Sequence, residues 1–252
     1  MVYCDRMITP PDATIVHPPH GFVRLVEFAG SDLSVVNAAR VSYDKESKWE
    51  HTYYETGSQK GVRLNNEDSG LLRYLMTNRH GTPFEHNYFQ FHVRAPIFVF
   101  REWHRHRIGI SINEESGRYV ELQPDFYLPD DEHCRKQVGK PGHYTYEQVP
   151  EVHAKAIRDM LDMSYRRSYS IYQTLMSEGV AKEIARAALP VATYSQMLWT
   201  CNARSLMAFL SLRNAPTAQR EIKDYAAAME EIFLKKMPVT AKAFVDGGRI
   251  AP

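Results

Sequence analysis

At 252 residues, with 44% hydrophobic and 24% charged side chains, the chain is long enough to bury a full core and is read as one domain over residues 1–252. A formal net charge of +1 excludes the broad basic field that nucleic acids and anionic membranes reward, so neither partner is expected. Cys4, Cys134 and Cys201 form no CxxC pair and no apolar run reaches the length of a membrane span, which excludes a disulfide framework or zinc knuckle and points to a soluble, unprocessed, cytoplasmic protein.

Residues 1–20 hold Pro10, Pro11, Pro18 and Pro19 and read as an extended lead-in. Phe22 to Phe28 alternates apolar and polar residues as a half-buried strand does. Ser31 or Asp32 can cap a helix through Leu33, Val36 and Ala39, and the polar stretch from Tyr43 to Gly61 reads as a loop. A helical pattern from Asn65 to Arg79 breaks at His80-Gly81. The turn Thr82-Pro83-Phe84-Glu85-His86 follows, then a strand marked by Tyr88, Phe89, Phe91 and Val93. Pro96 suits the first turn of a helix from Ile97 to about Arg107, on which Arg101 and Arg105 would share a face. Gly109 releases that helix, and Arg118 to Leu122 resembles a short strand.

Gln123 to Pro150 is rich in proline, glycine and charge and reads as an exposed excursion, the favoured place for mobility. Helices are expected from Val152 to Gly179, Lys182 to Leu189, Ala203 to Arg213 and Thr217 to Lys236, with a strand from Ala192 to Trp199. Strands and helices alternate without regular βα spacing, so the fold class is α+β and not doubly wound.

The densest chemistry lies between Arg101 and Val120, where Arg101, Arg105, Arg107 and Arg118 join His104 and His106 around Asn113, Glu114, Glu115 and Ser116. Arginine forks grip phosphate or carboxylate bidentately, so such a cluster calls for an anion. Two further features accompany it. Arg186 stands near a helix end, where it could instead offset the dipole, and Asn202 and Arg213 stand about three helical turns apart, roughly 16 Å along the axis. With Leu206, Phe209 and Leu210 between them, that helix could present an extended ligand surface or be an amphipathic core helix with polar ends. His104 and His106 point apart on a helix and cannot chelate one ion, so no metal is expected. Neither Ser111 nor Ser116 sits on a GxSxG elbow, and no Walker loop or GxGxxG is present.

Arg105-His106-Arg107 followed by Ser116, within RHRIGISINEESGRY, resembles the signature of the flavin-dependent thymidylate synthases. The resemblance extends to AARVSY at Ala38–Tyr43, HGTPFEH at His80–His86, ARAALP at Ala185–Pro190 and NARSLMAFLSLR at Asn202–Arg213. It implies a reductive methylation of dUMP to dTMP that uses FAD, with methylenetetrahydrofolate as carbon donor and NADPH as reductant. It implies FAD binding by Thr82, Arg105, His106, Arg107, Glu114, Asn202 and Arg204. Substrate contacts carried over are Glu102, Trp103, His104, Arg105, Glu114, Glu115, Ser116, Gly117, Arg118, Arg186 and Arg213. Arg213 would be catalytic, stabilising negative charge that develops on the uracil ring. A mostly antiparallel sheet packed against helices, and a homotetramer whose subunits share active sites, are implied as well.

Three departures stand out. Ile108 to Glu115 spans eight residues, one more than the family's usual gap between the triplet and the serine, and the insertion is placed before Ser111. Glu102 stands where the family commonly has glutamine, and Ala208 where relatives often carry a polar flavin neighbour. Rival readings are a nucleic-acid-binding module on the Arg101–Arg118 patch with Trp103 for stacking, and a cysteine-dependent synthase using Cys201.

Overall fold

The computed structural model describes residues 10, 12–17, 19–56 and 59–252. The chain divides into two compact units. One comprises Met1–Val93, Glu102–Asn113 and Met197–Pro252, the other Arg94–Arg101 and Glu114–Gln196. The expected α+β class is what the chain adopts. A five-stranded sheet has the order β1-β2-β5-β9-β6, formed by β1 (Thr14–Ile15), β2 (Phe22–Ala29), β5 (Tyr88–Pro96), β6 (Ile110–Glu114) and β9 (Tyr194–Cys201). β1 pairs antiparallel with β2, Thr14 opposite Val23. Of the lead-in expected over residues 1–20, residues 1–9, 11 and 18 lie outside the described residues, and β1 is a strand the sequence did not announce.

In the first unit, helix starts are set by short polar side chains. Ser31 accepts from Ser34 N at the start of α1 (Asp32–Arg40), Asn65 accepts from Asp68 N at α2 (Asn66–Thr77), and Asn202 accepts from Ser205 N at α6 (Ala203–Arg213). Each such cap is worth about 1 kcal/mol. The helix expected from Thr217 is α7 (Arg220–Lys236), and it is followed by α8 (Pro238–Asp246), which the sequence reading omitted. Pro238 stops one helix and serves as the first residue of the next, so a stop signal concealed a start. The buried Asp32 carboxylate then accepts from Val239 N at 3.0 Å, Thr240 N at 2.8 Å and Thr240 Oγ1 at 2.6 Å, tying α1 to α8.

The core of this unit is aromatic. Trp103 stacks on Phe209 at 4.8 Å between centroids and meets Trp199 edge-on at 5.9 Å, while Phe89 meets Phe233 at 5.8 Å. Such pairs contribute about 0.5–1.5 kcal/mol each beyond area burial.

Four expectations are corrected. The loop from Tyr43 to Gly61 contains a hairpin of β3 (Glu50–Tyr53) with β4 (Gln59–Arg63), and the excursion over residues 123–150 contains another, β7 (Arg135–Lys140) with β8 (His143–Gln148). Both hairpins are exposed on nearly every residue, so neither carries the alternation that betrays a half-buried strand. The helix expected to reach Arg107 is α3 (Ile97–Trp103). With the Trp103 indole locked in the core, the chain turns through Arg105 N to Glu102 O (3.3 Å) and His106 N to Trp103 O (3.0 Å), so Arg101 and Arg105 share no helical face. Gly109, at φ +66°, then leads into β6, and the strand expected at Arg118–Leu122 is a turn.

In the second unit, α4 (Glu151–Ser177) buries Tyr169 and Tyr172 against Ala185, with Phe126, Leu175, Val180 and Leu189 around them. The short α5 (Lys182–Ala185) continues into a 3-10 turn, Arg186–Ala188.

Candidate functional site

Arg213 ends α6, and its guanidinium is fastened at three points within the first unit. Nη1 donates to Glu102 Oε2 at 2.9 Å, Nη2 to the Glu102 main-chain oxygen at 3.0 Å, and Nε to His106 Nε2 at 3.0 Å. Because His106 Nε2 accepts, its proton sits on Nδ1. Burial, and then the positive charge of Arg213, push this imidazole down to about 4, so it is neutral near pH 7. Burial raises the Glu102 carboxyl above its ordinary value while Arg213 opposes the shift. The His106 ring also meets Phe209 edge-on at 5.0 Å.

A second arginine of the unit, Arg204, pairs through Nη1 with Glu85 and donates through Nε to the Pro252 main-chain oxygen at 3.1 Å. Gly81 lies so close beneath that guanidinium that a Cβ there would collide with it. The turn carrying Thr82 and the start of α6 are therefore one neighbourhood. Ser205, which the sequence reading passed over, donates from Oγ to the Ile108 carbonyl at 2.8 Å and anchors the turn after α3. Arg105 and Arg107 on that turn are exposed and have no ion pair to any described residue. Trp103 goes elsewhere: the whole residue is buried in the aromatic core, and His104 is half-buried. On α6 itself Leu206, Phe209 and Leu210 face the core, which decides for the amphipathic core helix. Its exposed strip is Arg204, Ala208 and Leu212.

This unit also holds a cavity of about 720 Å³ lined by residues of two motifs, Ala38–Tyr43 and His80–His86, with Glu67 and Tyr74 of α2. Arg40 reaches its wall, held by Asp68 at 2.6 Å and Glu67 at 2.8 Å. Ser42, Tyr43, His80, Thr82 and His86 add hydroxyl, aromatic and imidazole groups. Volume and lining suit a flat aromatic ligand bearing phosphates.

In the second unit Ser116, Gly117 and Arg186 come together. Ser116 O accepts from Tyr119 N at 2.9 Å and from Val120 N at 3.1 Å, closing a turn that exposes Arg118. A Cβ on buried Gly117 would lie 3.1 Å from Leu122 Cδ1 and 3.2 Å from Arg186 Cδ, so the Arg186 stem rests on this glycine. Arg118 faces Glu183 at 3.4 Å. Beneath the turn, Tyr172 Oη accepts from Leu122 N and Tyr169 Oη donates to Leu122 O, both at 3.3 Å. Both tyrosines lie on the helix expected from Val152 to Gly179, and no sequence signal marked them as partners of this turn. Glu114 accepts from Ser195 Oγ at 2.8 Å, and burial raises the Glu115 carboxyl despite nearby Arg94.

The two described cysteines offer no competing chemistry. Burial pushes the Cys201 and Cys134 thiols up, away from the reactive thiolate, and Cys4 lies outside the described residues. Among the described residues no cluster of three or more His, Cys, Asp or Glu is placed to hold a metal, and no helix is long and apolar enough to cross a membrane.

Fold and side chains together define an α+β protein whose arginines are arranged for anionic ligands. The family model described as thymidylate synthase complementing protein matches residues 24–239. The flavin-dependent thymidylate synthase of Streptomyces coelicolor is 47% identical over 238 residues, 91% of this chain and 93% of the relative. That of Thermosipho africanus is 45% identical over 225 residues, 89% of this chain and 91% of the relative. A crystal structure of the UMP/dUMP methylase PolB from Streptomyces cacaoi with 5-Br UMP superposes with a TM-score of 0.78 at 44% identity, covering 91% of this chain and 96% of that one. Its complex with 5-Br dUMP gives 0.76 over 91% and 97%. The chain belongs to the flavin-dependent thymidylate synthase family and is an enzyme, a methyltransferase.

Proposed function

We propose that this enzyme methylates dUMP to dTMP, with FAD as its flavin, methylenetetrahydrofolate as carbon donor and NADPH as reductant. The observation that carries the nucleotide part is the seat in the second unit, where Arg186 lies on Gly117 beside the Ser116 turn. An exposed arginine whose stem rests on a glycine, in a turn that also carries a hydroxyl, is suited to phosphate. The relatives' names and the brominated uridine nucleotides bound to PolB support the same reading.

Thr82 and Arg40 at the 720 Å³ cavity, with the uncommitted Arg105 and Arg107, would hold the flavin. Bound there, it supplies the redox capacity that converts a transferred one-carbon unit to a methyl group. The chain's own part is electrostatic. Arg213, held by Glu102 and His106 before any ligand arrives, would stabilise negative charge developing on the uracil ring without reorganisation. His106, neutral and bearing its proton on Nδ1, offers a donor without adding charge.

The reading extends to a homotetramer with shared active sites, supported by Val152, Met160, Met163 and Ile171, exposed apolar residues on α4. A reducing cytoplasm suits the free, buried Cys134 and Cys201.

Purified protein supplied with FAD should show a bound-flavin absorption spectrum and make dTMP only when methylenetetrahydrofolate and NADPH are both present. Failure to retain flavin, or turnover without it, would overturn the proposal.

A further inference from the structure

Arg213 closes α6 at a helix end, where nothing on its own helix fixes a side chain with about 2 kcal/mol of rotamer entropy. Among the described residues the restraint comes from residues 102–106. Had α3 continued, the Glu102 carbonyl would have accepted from His106 N in the i to i+4 pattern. The helix stops at Trp103 instead; the Glu102 carbonyl accepts from Arg105 N at 3.3 Å and takes Arg213 Nη2 as well, while the side chain of the same residue takes Nη1. With the guanidinium so seated, its Nε reaches His106 Nε2. Side-chain exposures of 26% for Glu102 and 19% for Arg213 place the pair at the wall of the unit, partly shielded from bulk water. Among the described residues the ionisable groups facing Glu102 are Arg213 from α6 and Glu221 from α7, and the charged group facing His106 is Arg213.

We propose that Glu102 is a positioning residue. It seats Arg213 through its carboxylate and its own carbonyl, and this seating holds His106 as an acceptor with its proton on Nδ1. The carboxylate acts through distance and direction, as an oxygen that receives one guanidinium N–H, and not as a charge presented to substrate. Any acceptor oxygen at the same reach should therefore do the work, and a charge at shorter reach should not. The inference rests on the methylation reading above for its kinetic arm, but its spectroscopic arm does not.

Glu102→Gln, Glu102→Asp and Glu102→Ala, each loaded with flavin, separate these roles. In the alanine and aspartate variants kcat should fall about 10²-fold, the effect expected of a catalytic group displaced by an ångström, with KM for dUMP and flavin content near wild type. The glutamine variant, which keeps the reach and loses the charge, should recover most of that loss. Histidine 15N spectra of the same proteins should show His106 in wild type as the Nδ1–H tautomer, titrating near 4. In the alanine and aspartate variants, where Arg213 leaves the ring, the titration should rise by the part that the charge of Arg213 contributes, while burial, the larger cause, still holds it below an ordinary histidine. Rescue by aspartate but not glutamine would overturn the proposal, because charge would then be the requirement. So would an alanine variant with wild-type kcat or an unmoved His106 titration. If alanine does not fold, the aspartate and glutamine pair decides alone. Absence of dTMP formation by wild type would refute the methylation reading, while the His106 spectra would still test the seating.

Discussion

The two units treat their arginines differently. In the first, Arg213 and Arg204 are already engaged with Glu102 and Glu85 and with main-chain oxygens, so each guanidinium is aimed before any ligand arrives. In the second, Arg186 is exposed, paired with no described carboxylate, and steadied only by its stem against Gly117, while Arg118 makes an open 3.4 Å contact with Glu183. Exposed pairs of that kind are worth about 0–1 kcal/mol and yield readily to a phosphate. A fastened arginine suits a charge that appears only during reaction, because it costs no reorganisation at that moment; a loose one suits capture of an anion that is present from the start.

The contrast can be broken most strongly at Arg213. Arg213→Ala should lower dTMP turnover by about 10²–10³-fold while flavin uptake, followed by absorbance, stays near wild type. Equal loss of flavin would mean that the residue serves binding and not reaction. A smaller effect is expected in the second unit. Gly117→Val forces a branched side chain against Leu122 and the Arg186 stem, and should weaken 5-Br dUMP binding about tenfold by calorimetry, with flavin binding preserved. Unchanged affinity would remove Arg186 from the nucleotide seat. The smallest effect should come from Tyr172→Phe, which leaves the Leu122 amide without its partner and should cost about 1 kcal/mol in denaturant unfolding. No change there would show that Tyr169 alone holds the turn.

Much of the first unit could be read along the chain because its signals are local. Ser31, Asn65 and Asn202 mark helix starts by chemistry confined to a few residues, and the apolar spacing of α2, α6 and α7 reports one buried face each. The hairpins β3–β4 and β7–β8 escaped because solvent on both faces erases the pattern that burial writes into a strand. The motifs holding Thr82, Arg105, Ser116, Arg186 and Arg213 were visible as residues, but not which of them pair. That Arg213 should meet Glu102 and His106, or that Gly117 should support Arg186, depends on residues far apart in sequence.

By itself, then, the sequence determined the α+β class, most helices and the list of charged residues around which the chemistry turns, since propensity, capping and motif spacing are properties of short segments. Tertiary structure alone decided where α3 ends, because the burial of Trp103 in the aromatic core overrides a helical pattern that would otherwise run on. From that early stop follow a Glu102 carbonyl that takes Arg213 as well as Arg105 N, the seating of Arg213 and its contact with His106, none of which any local signal contains.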